Sequence, residues 1–72
     1  MQRKDLTSNF KKIVEDYDKT VGYLIFGIIY ASDLENYTVS ELGQISKEVT
    51  GTESPKHRIR DGINLSKYVN LK

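Results

Sequence analysis

The amino-acid sequence predicts an all-α domain of four to five short helices, and three observations carry that expectation. Apolar residues recur every three or four positions through most of the chain, the spacing of one helix face. Residues that cap helix starts stand ahead of these stretches: Thr20, Thr38, Ser54 before Pro55, and Asn64. In the segment past Gly62, Ile63, Leu65, Val69 and Leu71 nearly alternate as in a strand, but a lone strand there has no partner to pair with.

In chain order, Met1 to Asp5 is a charged tail expected to fray, although Arg3 and Lys4 are placed to reach a partner or a phosphate. Leu6, Phe10, Ile13, Val14 and Tyr17 then lie on one face of a helix of about three turns. Lys11, Lys12, Glu15 and Asp16 share the opposite face, and their mixed sign fits a solvated surface. Asp18 to Thr20 breaks the pattern, with Thr20 expected to cap the next helix.

Val21 to Ala31, VGYLIFGIIYA, is rich in β-branched and aromatic residues, so propensity alone permits a strand. A helix is favoured because Val21, Leu24, Ile25, Ile28 and Ala31 form one apolar face, while Tyr23, Phe26 and Tyr30 form a second. A helix apolar nearly all round is expected to be central and buried on both sides. The alternative leaves one face, that of Tyr23, Phe26 and Tyr30, open to a partner. Ser32 to Tyr37 reads as a polar loop containing Asp33, Glu35 and Asn36.

The stretch from Thr38 to Gly62 is the most organised. Thr38 and Glu41 form a capping box, which places a helix start at Val39. Val39, Leu42, Ile45 and Val49 continue one apolar stripe, and Thr50 with Gly51 ends it. Ser54 as cap and Pro55 at the first helical position start another helix, with Gly62 expected as its C-terminal cap. Asn64 is then read as the cap of a short last helix over residues 63–72, the runner-up being a one-strand wing. The predicted core is Leu6, Phe10, Ile13, Leu24, Ile28, Leu42, Ile45, Ile59 and Leu65, and residues 1–72 are expected to form a single domain.

Composition limits the function. Eleven Lys plus Arg against ten Asp plus Glu leave a formal charge of +1, a poor balance for a protein whose affinity comes from neutralising phosphates. There is no cysteine and a single histidine, so neither a disulfide framework nor a thiolate or histidine-cluster metal site is expected. No nucleophile stands with a base, no glycine-rich loop follows a strand, and the carboxylates are scattered; neither an enzyme nor a cofactor is expected. Ser46 is explained as helix surface and Ser54 as a cap. The longest apolar run is about half of what spans a bilayer, and a location in the bacterial cytoplasm, with no membrane and no small-molecule substrate, is expected.

Two short capped helices, the first with the small Gly43 beside its core leucine, resemble the helix-turn-helix of phage regulators of the Cro and repressor class. The turn from Thr50 to Ser54 is slightly longer than that pattern's, and His57 stands near where an apolar residue is expected. In length and overall run the chain also resembles the modulator-of-repression antirepressors of lactococcal temperate phages. That resemblance implies a protein that binds its phage's own repressor.

The residues permit two uses of one surface. Lys56, His57, Arg58 and Arg60 gather at the start of the second helix of the motif, where a recognition helix presents side chains to base edges and phosphates. Asp33 and Glu35 in the loop ahead of the motif, and Glu53 at the entry to its second helix, oppose phosphates, but together with the cations they offer the mixed charge that suits a protein partner. The expected function is therefore antirepression: a folded monomer binds the DNA-binding domain of a phage repressor through Asp33, Glu35, Glu53, Lys56, His57, Arg58 and Arg60 and controls the lytic/lysogenic switch. Weak or indirect DNA contact is possible within it. The alternative is a Cro-like DNA-binding regulator acting as a dimer on a palindromic operator.

Overall fold

Local chemistry sets both ends of one helix, the fourth in the chain. In a computed structural model that describes residues 2–53 and 55–68, the chain forms α1 (Arg3–Asp16), α2 (Lys19–Ile29), α3 (Ala31–Leu34), α4 (Val39–Thr50) and α5 (Lys56–Leu65). No strand occurs among the described residues. The capping box starts α4 where expected: the Thr38 hydroxyl accepts from the Glu41 N–H at 3.1 Å, and the Glu41 carboxylate accepts from the Thr38 N–H at 3.0 Å. Gly51 ends the same helix at a φ of 83°, a left-handed conformation that glycine adopts without penalty.

Nine side chains from all five helices form the core: Leu6, Phe10, Tyr23, Phe26, Leu34, Leu42, Ile45, Ile59 and Ile63. Its centre is aromatic. Phe10 stacks on Phe26 with ring centroids 4.3 Å apart and meets Tyr23 edge-on at 5.3 Å, both geometries favoured by the ring quadrupoles. Arg3 of α1 also reaches Glu48 of α4 at 2.8 Å, but both side chains are half exposed, so the pair contributes little beyond orientation.

The closest approach of two helices is that of α2 and α5, and glycine makes it. A Cβ on Gly27 would strike the carbonyl oxygen of Ile59, and one on Gly62 would strike that of Leu24 while standing 2.9 Å from the Gly27 Cα. Gly22 performs a milder version of the same task against α1, where a Cβ would lie 3.1 Å from Val14 Cγ1.

This packing corrects several sequence expectations. Gly62 is no cap: it lies inside α5, which runs on to Leu65, because its missing side chain is needed for the approach to α2. No new helix starts at Asn64 for the same reason, and the part of that expectation covering residues 69–72 lies outside the described residues. Ser54 lies outside them too, while Pro55 precedes the first helical residue rather than occupying it. Thr20 falls inside α2, whose N-cap position is Asp18.

The two faces of α2 are exchanged. Tyr23 and Phe26 are core, because the glycines on their side admit α1 and α5, and Leu24 and Ile28 are only partly buried. Tyr17 is 53% exposed because the chain turns extended at that residue, leaving the α1 face that Leu6 and Phe10 share. Leu65 is 41% exposed, and Ile63, two residues earlier and on nearly the opposite side of the helix, takes the inward position instead. The segment read as a loop contains α3, whose Leu34 is fully buried beneath the bundle. Ser46 is buried rather than on the surface, its hydroxyl donating to the Thr52 carbonyl at 2.8 Å.

Two substitutions test this packing. Leu42→Ala should cost about 2 to 5 kcal/mol by leaving a cavity in the core. Gly62→Ala should cost about 1 to 3 kcal/mol by forcing two backbones apart. Thermal melting followed by circular dichroism reads both, since about 1 kcal/mol corresponds to roughly 4 to 8 °C in so small a domain. An unchanged melting temperature for Gly62→Ala would contradict the glycine contact.

Candidate functional site

The candidate site is built on α4, α5 and the connection between them. Side chains of α4 fasten the turn: Ser46 holds the Thr52 carbonyl, and the Thr50 hydroxyl donates back to the Ser46 carbonyl at 2.8 Å. Gly43 has a use here that its neighbouring leucine did not reveal. Its missing side chain leaves room for the chains of Lys56 and Glu53, which would stand 3.0 and 3.7 Å from a Cβ at that position. Lys56 Nζ lies 3.9 Å from Glu53 Oε2, a long and partly solvated pair of small energetic worth.

α5 buries Ile59, Gly62 and Ile63 and turns its other side outward. His57 and Arg58 stand exposed in its first turn. Arg60 does not join them: it is half buried, and its guanidinium donates to the Tyr37 carbonyl oxygen at 2.5 Å, on the connection between α3 and α4. That carbonyl has no helical partner, and a charged donor satisfies it well.

The seven residues expected at the site therefore fall into two groups. Glu53, Lys56, His57 and Arg58 gather around the start of α5. Arg60 belongs with the α3–α4 connection, where the half-buried Asp33 lies in α3 and the exposed Glu35 just follows it. Each group carries both signs of charge.

In sequence, Leu65 and Tyr68 already share a helical face with Val69, but as part of a separate last helix. Arg58, Asp61, Leu65 and Tyr68 follow one another at three- and four-residue spacings, so they line one side of α5 and the turn beyond it. Tyr68 is 86% exposed. Because α5 continues through Gly62, that face joins the one bearing Arg58 and Asp61. The face runs from cationic to apolar over about three turns.

Arg58 and Arg60 should consequently separate in a stability measurement. Arg60→Ala should lower the melting temperature by several degrees, about 1 kcal/mol once partial exposure is allowed for, because it orphans the Tyr37 carbonyl. Arg58→Ala should stay within about 0.5 kcal/mol of the parent. Equal melting temperatures for all three proteins would place the Arg60 contact outside the folded structure's energetics.

Among the described residues no helix is long and apolar enough to cross a membrane, and no group of three or more His, Asp or Glu residues could hold a metal ion. A comparison with the curated proteins returns no match, and neither does one with the solved structures. A family model described as an HTH-like domain matches residues 2–72, all but the first residue of the chain. With its α4–turn–α5 unit in an all-helical setting, the protein belongs to the family of HTH-like domains.

Proposed function

We propose that this protein is a phage antirepressor that binds the N-terminal DNA-binding domain of the phage's repressor through the exposed side of α5, and so keeps that domain off its operator. The observation that carries the reading is the fate of the cations. A helix that follows phosphates needs several free positive charges, because each phosphate contact adds to affinity by releasing counterions. Here Arg60 is turned to the Tyr37 carbonyl and Lys56 lies near Glu53, which leaves Arg58 and His57 projecting, with Asp61 on the same side. Such a surface is better matched to the mixed polar and charged face of a DNA-binding domain than to a polyanion. Leu65 and Tyr68 add the exposed apolar and aromatic area that protein interfaces use as anchors. The likeness to modulator-of-repression antirepressors supports the same partner, the lytic/lysogenic switch as its setting and the bacterial cytoplasm as its location.

A second reading has its own support. The family is one of HTH-like domains, and Arg58 with His57 occupies the first turn of α5, the position from which a recognition helix reads bases. That reading is a Cro-like DNA-binding regulator.

An operator gel shift with a phage repressor and its operator decides between them. Antirepression predicts no shift from this protein alone and loss of the repressor's shift when both are present. Arg58→Glu should weaken that inhibition by about tenfold or more, as expected for a charge reversed within an interface. A shift by this protein alone that fades steeply as salt rises would overturn the antirepressor reading and make Arg58 a DNA contact.

A further inference from the structure

The side of α2 that faces away from the aromatic core is unoccupied. Gly22 lies against α1 and Gly27 against α5; at 100° per residue Val21, Ile25, Ile28 and Ile29 share one arc of roughly 100° centred opposite the buried Tyr23, with Ile29 at its α1 edge. Val21 is 46% and Ile29 51% exposed, with Ile25 and Ile28 half buried between them. Four branched aliphatic side chains in one exposed stripe are unusual on a monomer of this size.

We propose that this stripe pairs with the same stripe of a second copy of the chain, the two α2 helices lying antiparallel about a two-fold axis near Ile25. Charge supports that occupant. From Thr20 to Ser32 there is no charged residue, and Asp18 with Lys19 at the near end sum to zero, so no row of like charges meets across the axis. Isologous pairing needs such a self-complementary patch. A basic DNA-binding domain, the partner assigned to α5, would bury its cations here without counter-charges, at a cost of several kcal/mol per ion. Antiparallel packing also sets the two helix dipoles head to tail. The contact extends along a helix of eleven residues, roughly 16 Å. That places it among small interfaces, below about 1,200 Å², and makes the pair weak and dependent on concentration.

The pairing is independent of the antirepressor reading, and its test uses neither repressor nor operator. In sedimentation equilibrium of the full chain from about 10 µM to about 1 mM, the range in which a weak pair becomes populated, the mean mass should climb from 8.3 kDa toward twice that value. Ile29→Lys should hold it at 8.3 kDa while melting like the parent. Because the sequence has no cysteine, Ile25→Cys gives a second readout: it should oxidise to a linked dimer, and Arg58→Cys, on α5, should not. A constant mass at every concentration, or equal cross-linking at both positions, overturns the proposal.

Discussion

The contact on which the rest of the structure depends is the glycine-to-glycine approach of α2 and α5. With Gly27 and Gly62 facing each other, two backbones come close enough that a single methyl group on either would strike a carbonyl oxygen. That approach sets where α5 lies. It brings Ile59 and Ile63 inward, leaves Leu65 and Tyr68 outward, and holds Arg60 over the Tyr37 carbonyl. The candidate interface is therefore a consequence of two missing side chains on the buried side of the helix that bears it.

The aromatic cluster acts together with this contact. Phe10, Tyr23 and Phe26 bury more area per residue than the aliphatics on the other side of α2, and the glycines make room on their side. A bundle of five short helices has little core to spare, so one side of a doubly apolar helix must win. The losing side stays at the surface. Tyr23 shows that the winning side is not free of cost, since its hydroxyl is buried with no hydrogen-bond partner among the described residues.

At the site the tertiary contacts redistribute charge without changing its sum. Lys56, His57, Arg58 and Arg60 read in sequence as one basic cluster, yet they point to different tasks once α5 is seated. Lys56 runs across Gly43 toward Glu53, Arg60 serves a backbone carbonyl, and His57 and Arg58 meet solvent. Net charge near zero is thus matched by a surface without a uniformly basic face.

What the sequence by itself determined is the local structure: the all-α class, the Thr38–Glu41 box that begins α4, the Gly51 stop, and the stripe of Leu6, Phe10, Leu42, Ile45 and Ile59. Caps and periodicity act within a few residues, so they are legible in the chain. It also placed Arg58 and His57 at the exposed start of α5. Only the tertiary structure decided which side of α2 is core, that Gly62 is a contact and not a cap, that Leu34 closes the bundle, and that Arg60 faces inward. Each of these depends on a partner distant in sequence: Gly27 for Gly62, Phe10 for Phe26, Tyr37 for Arg60. Helical spacing says which residues share a side, and packing against another element says which side is inside.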